Sequence, residues 1–159
     1  DIVFVSLDGK YDEKKLKPSS EWRFHKDIYL KKKEADAIVH AHSVHATAVS
    51  THRKSIPAFH YMVALAGGND IKCAEYATFG TEELSKNIVK ALDNRKACLM
   101  SNHGQVAFDI SIDKAFELAE EVENICHQYI NALKIGTPKI LSFEEMKKIL
   151  EKVKDYKKD

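Results

Sequence analysis

Ala37-Ile38-Val39-His40-Ala41-His42 is an apolar run that closes on two histidines spaced i and i+2. The run reads as the end of a buried β-strand. Side chains two apart on a strand point to one face, about 7 Å apart at the backbone. His40 and His42 therefore aim at a single spot that one metal ion can span. A third histidine stands in Ser101-Asn102-His103-Gly104, directly after the apolar run Ala97-Cys98-Leu99-Met100. A carboxylate, Glu21, stands in Pro18-Ser19-Ser20-Glu21-Trp22. Three imidazoles and a carboxylate make a zinc environment with a displaceable position. A plainer reading stays open on these residues alone. His40 and His42 would then be half-buried and bonded to backbone groups, and Glu21 would serve only the helix dipole. His45, at i+3 from His42, leaves the shared face and reads as structural or as a support to the site. His25, His52 and His127 carry no site signal.

Outward from this stretch, the chain alternates strands and helices. Ile2 to Leu7 predicts a strand and Asp8-Gly9 a hairpin-type turn. Pro18-Ser19-Ser20 opens a helix with Glu21 in its first turn, running to about Lys32. A strand over 37–42 leads into a short helix at Ser43 to Val49, broken by Ser55-Ile56-Pro57. His60 to Ala66 predicts a helix stopped by Gly67-Gly68. Ile71 to Tyr76 predicts a strand, and Thr81 caps a helix to about Leu92. Ala97 to Met100 and Gln105 to Ile110 are strands flanking the His103-Gly104 turn. Ala115, Ala119, Val122, Cys126, Tyr129 and Leu133 lie three and four apart, the pattern of an amphipathic helix that ends before Gly136. Ser142-Phe143-Glu144-Glu145 is a capping box opening a last helix, followed by a charged tail from Lys154. This order predicts an α/β fold of three layers, a mixed and mainly antiparallel sheet flanked by helices.

The chain has 159 residues, 44% hydrophobic and 31% charged, enough for one domain with a real core over residues 1–159. A formal net charge of +1 argues against nucleic acid as a partner. No apolar run has the length of a membrane span, and the start is too short and acidic for a secretory signal. The cysteines, Cys73, Cys98 and Cys126, are odd in number and without a CxxC, which favours free thiols in a reducing cytoplasm. The chain opens without Met inside a predicted strand, which reads as a longer polypeptide whose N-terminal part is missing here. No GxGxxG, GxxxxGK[ST] or GxSxG occurs, so neither a nucleotide nor a serine nucleophile is indicated.

Several segments together resemble the class II aldolase/adducin family. Lys17-Pro18-Ser19-Ser20-Glu21-Trp22-Arg23-Phe24-His25 is similar to its base-bearing segment, and 37–48 to its paired metal histidines. Ser55 to Met62, Ala66-Gly67-Gly68, Tyr76 to Thr81 and Asn102-His103-Gly104 extend the resemblance over nearly the whole chain. The resemblance implies a zinc ion (Zn2+, with Mn2+ or Co2+ as alternatives) held by His40, His42 and His103. Glu21 would be the acid–base residue and a metal ligand when substrate is absent. Ser19 and Ser20 would bind a substrate phosphate, Tyr61 would donate a proton in a neighbouring subunit's site, and Tyr156 would cover the site. The implied reaction is retro-aldol cleavage of L-fuculose 1-phosphate or a similar phosphorylated sugar by a cytoplasmic homotetramer with interfacial sites. The family's N-terminal part also supplies a Gly-Asn loop and a Thr-Pro-Ser/Thr-Gly loop to the phosphate pocket, and neither occurs in this chain. The same resemblance leaves open a 4-epimerase, which typically carries Asp at the Glu21 position, a decarboxylase or dehydratase, and a non-catalytic interaction module.

Overall fold

The computed structural model describes residues 2–156, with side chains as far as Lys154. The order is α1 (Trp22–Lys31), β1 (Ala37–Ala41), α2 (Val44–Ser50), β2 (Ile56–Pro57), a 3-10 helix (Tyr61–Ala66), β3 (Asp70–Ile71), β4 (Cys73–Ala74), α3 (Glu82–Ala91), β5 (Ala97–Met100), β6 (Gly104–Asp109), α4 (Ile112–Ile135) and α5 (Phe143–Tyr156). The main sheet runs β1-β6-β5-β4. β1, β6 and β5 are antiparallel, with His40 opposite Val106 and Leu99 opposite Gln105, while β4 joins β5 in parallel. β2 and β3 form a separate antiparallel pair.

The pleat divides the apolar residues between two cores. Ala97, Leu99 and Ala107 face one core, with residues of α2, α4, α5 and the 3-10 helix. Ile38, Cys98, Met100, Val106 and Phe108 face the other, with Phe24 and Ile28 of α1 and Leu84 and Ile88 of α3. The result is the expected three layers, helices on both faces of a mixed sheet. Since His40 is two residues from Ile38, it faces the α1 side, where its ring meets Phe24 edge-on at 5.3 Å. Ser85 of α3 donates to Asp27 of α1 at 2.6 Å, which ties the outer helices of that layer together.

Four expectations are corrected. Residues 2–6 form no strand: Ile2 and Phe4 are 84% and 87% exposed. A strand is stable only within a ladder, and among the described residues none pairs with this segment. The Asp8-Gly9 turn does form, with Gly9 N donating to Ser6 O. Glu21 precedes α1 at its cap position rather than lying in the first turn. Tyr61–Ala66 is a 3-10 helix, stopped as expected by Gly67 at φ 95°. Finally, the strand expected over 71–76 is divided. Ile71 pairs with Ile56 and Cys73 with Leu99, so the chain changes sheets at Lys72. Among the described residues, no helix is long and apolar enough to cross a membrane.

Candidate metal centre

His40 is the penultimate residue of β1, His42 follows that strand directly, and His103 sits in the turn joining β5 to β6. Antiparallel pairing of β1 with β6 brings the turn to the end of β1. One ligand nitrogen from each ring then lies within 4.8 Å of the other two. The ring centroids are 4.7–5.0 Å apart, each pair meeting at a steep angle. Asn102 takes φ 54°, the left-handed conformation that the turn requires and that Asn tolerates.

The tautomer of His40 follows from its partner. Nδ1 lies 2.8 Å from the Gln105 carbonyl, which can only accept, so Nδ1 carries the proton and Nε2 a lone pair. His40 Nε2 is 3.1 Å from His42 Nε2. With zinc–nitrogen bonds of ~2.0–2.1 Å, tetrahedral ligand nitrogens stand about 3.3 Å apart. The spacing thus fits two ligands of one cation.

Glu21 is buried, 8% exposed, and its Oε2 has no hydrogen-bond partner. This oxygen is 3.9 Å from His103 Nε2, so an orphaned carboxylate oxygen faces the histidine cluster. Such an atom is costly unless a proton or a cation satisfies it. Burial pushes the Glu21 carboxyl above its ordinary range, against the opposing pull of Gly80, His42 and Ser20. Burial also pushes His103 down to about 4, with His40 and His42 adding to the effect. His40 is likewise lowered by burial, partly opposed by its bond to Gln105. These shifts keep the His40 and His103 rings neutral, the form that ligates a metal.

The other expected site residues are dispersed. Ser19 and Ser20 are exposed at the start of α1, adjacent to Glu21, and Ser19 Oγ accepts from Glu21 N at 3.2 Å. Gly80 faces Ser20, and Arg23 Nε donates to Gly80 O, so the 78–81 turn packs against Ser20. Tyr61 lies on the 3-10 helix, 54% exposed, with its ring tilted against that of His60 at 4.7 Å. Among the described residues, no hydrogen bond or ring contact joins it to the three histidines. Tyr156 ends α5, and its side chain lies outside the described residues. His45 turns away, as expected, to bond Glu123 through Nδ1 at 2.7 Å. Sequence reasoning missed Gln105 and Glu123. Gln105 did carry a signal, a polar residue in a strand buried at every position; Glu123 was one acid among several on a long amphipathic helix.

Residues 1–130 match the family described as Class II Aldolase and Adducin N-terminal domain. The chain is 53% identical to an L-fuculose phosphate aldolase of Escherichia coli K12 over 98% of its own length and 72% of that protein. It is 47% identical to a 5-methylthioribulose-1-phosphate/5-deoxyribulose-1-phosphate aldolase of Rhodospirillum rubrum, over 98% of this chain and 70% of the relative. Among solved structures, an L-fuculose 1-phosphate aldolase superposes with a TM-score of 0.92 at 43% identity, covering 97% of this chain and 72% of that one.

Proposed function

Because the chain belongs to the class II aldolase and adducin family, we propose that it cleaves a ketose 1-phosphate between C3 and C4 in a metal-dependent retro-aldol reaction. L-Fuculose 1-phosphate is the proposed substrate, giving dihydroxyacetone phosphate and L-lactaldehyde. The observation that carries this reading is the buried Glu21 carboxylate facing three convergent histidines. His40, His42 and His103 hold the metal, and Glu21 completes its surroundings when no substrate is bound. The ligand set favours zinc, although imidazole and carboxylate also suit manganese and cobalt. When bound, the metal supplies positive charge that stabilises the oxyanion developing on the substrate carbonyl.

The residues of the chain do the rest. The Ser19 and Ser20 hydroxyls, exposed just before α1, hold the phosphate. They thereby bring the reacting carbons up to Glu21. Cleavage passes the proton of the C4 hydroxyl out by way of Tyr61 to solvent, breaks the C3–C4 bond and leaves its electron pair on the C3 fragment. Glu21, displaced from the metal by the substrate and protonated from solvent, delivers the proton that C3 then takes up. Tyr61, exposed on its 3-10 helix, exchanges a proton with the aldehyde oxygen in the site of a neighbouring copy. Tyr156 covers that site. This assignment entails an assembly, and a homotetramer is proposed. The free thiols Cys73, Cys98 and Cys126 suit a cytoplasmic location.

A second substrate is favoured by a specific finding, the 47% identity to an aldolase of 5-methylthioribulose 1-phosphate and 5-deoxyribulose 1-phosphate. A same-fold epimerase fits less well, because Glu21 stands where epimerases typically carry Asp. The test is release of dihydroxyacetone phosphate from L-fuculose 1-phosphate and 5-deoxyribulose 1-phosphate, with metal content measured on the same sample. Release from the first at the higher kcat/KM supports the proposal. Release from the second alone replaces the substrate. Metal-replete protein releasing no triose phosphate from either overturns the aldolase reading.

A further inference from the structure

α2 is a seven-residue helix that starts at Val44, two residues after His42. Its far end meets the turn that carries His103. There Ser50 O accepts from Asn102 N at 3.2 Å, Ser50 Oγ accepts from His103 N at 3.3 Å, and Thr47 Oγ1 donates to His103 O at 3.5 Å. The helix is therefore a strut between the two pieces of chain that bring the histidines together. A helix so short has little stability of its own, and what grips its ends sets its position.

The grip at the first turn comes from another helix. Ser43 occupies the capping position but its side chain makes no cap; its hydroxyl accepts from Gln105 Nε2 at 2.8 Å. The open amides of α2 are bonded instead by Glu123 of α4. His45 N donates to Glu123 Oε1 and Ala46 N to Oε2, both at 2.8 Å, while His45 Nδ1 donates to Oε1 at 2.7 Å. His45 in turn stacks on His127 of α4 at 4.1 Å. α4 is itself fixed by the buried face that includes Ala115, Leu118, Val122 and Ile125.

We propose that Glu123 is a positioning residue of the metal centre: its carboxylate docks the first turn of α2 onto α4 and so sets His42 against His103. The inference rests on the reading of His40, His42 and His103 as metal ligands. Both carboxylate oxygens are engaged. An amide in that place offers one acceptor and turns its NH2 group, which cannot accept, toward a backbone N–H. Releasing the first turn moves Ser43, and His42 is bonded to Ser43. A metal site tolerates displacements of only about 0.5 Å in its ligands.

The test uses the whole chain loaded with Co2+, whose visible absorption reports coordination geometry apart from any activity. Wild type, Glu123→Gln and Glu123→Ala are compared with Ser111→Ala. The last removes the α4 cap formed by Ser111 Oγ and Lys114 N but touches no residue of α2. The expected result is a cobalt band in wild type. Glu123→Gln, folded by circular dichroism, gives an altered band and an affinity lower by about 10- to 100-fold, the range for residues that orient metal ligands. Ser111→Ala lowers thermal stability and leaves the band intact. Should Glu123→Ala fail to fold, the near-isosteric Gln variant decides. A Glu123→Gln protein with the wild-type band and affinity overturns the inference, whatever its stability, and leaves the metal centre standing. Wild-type protein with no cobalt band overturns the histidine centre itself and the inference with it.

Discussion

Gly104 follows His103 and has no room for a side chain. A Cβ there would stand 2.4 Å from Ala41 O and 3.1 Å from His42 Cδ2. Backbone oxygen cannot yield as a flexible side chain can, so Gly104→Ala must push the end of β1 away from the turn. We expect a loss of about 1–3 kcal/mol in stability, the usual cost of overpacking, together with reduced metal content; denaturant midpoints and metal analysis check both. Glu21→Gln is the opposite kind of change. It preserves volume and removes only the capacity to carry a proton. Metal content should stay near the wild-type level while triose phosphate release falls by about 100-fold or more, the scale of lost general acid–base catalysis. An active Glu21→Gln enzyme would deny the proton-transfer role. His40, His42, His103 and Glu21 were all legible in the sequence as a candidate cluster, and the structure brings the four together. The Gln105 carbonyl that sets the His40 tautomer was not, because a backbone acceptor 65 positions away leaves no local trace.

At the level of elements, the readable ones carry their own local signals. Thr81 sits in extended conformation before α3 and accepts from Leu84 N at 3.2 Å, the cap its position predicts. Thr81→Ala should cost about 1 kcal/mol, seen as a lower melting temperature with α-helical content otherwise retained. α4 shows the same legibility, with buried residues at helical spacing from Ala115 to Cys126. Elements that depend on a neighbour were misread. Ile2 to Leu7 alternates like a strand yet has no ladder among the described residues, and 71–76 divides because two different strands claim its ends. His60 to Ala66 has helical spacing, but its tight 3-10 form ends at Gly67, whose backbone turns left-handed against Arg95.

For the molecule as a whole, stability should depend on pH and on metal. His25, beside Phe24, is pushed down to about 4 by burial and by His40. The unfolded chain, with an ordinary histidine near 6.5, therefore binds the proton first. The stabilisation is complete above pH 6.5 and is lost as pH falls from there to about 4. The slope is up to about 1.4 kcal/mol per pH unit for each such group. Melts in excess chelator between pH 7 and 4 should show this decline, and His25→Leu should make it shallower; an unchanged slope would assign the effect elsewhere. Bound metal adds to the folded state by mass action, about 2.7 kcal/mol at one hundred times its dissociation constant. Melting temperature should therefore rise with metal concentration at pH 7 and return to the chelator value when the metal is removed.

What this chain determines through sequence alone is what short range and residue type can encode. The apolar run closing on His40 and His42 encodes a shared face by its two-residue period. The capped and amphipathic helices encode their ends and buried sides, and the three-histidine, one-carboxylate set marks a candidate metal centre. Tertiary structure alone decided which segments pair and which groups lie together. It gave β1 to β6, so that the His103 turn meets the end of β1. It buried the Glu21 oxygen without a partner, and it lent α2 a cap from α4 through Glu123. Each of these depends on distances between residues remote in the chain, and local propensity holds no information about them.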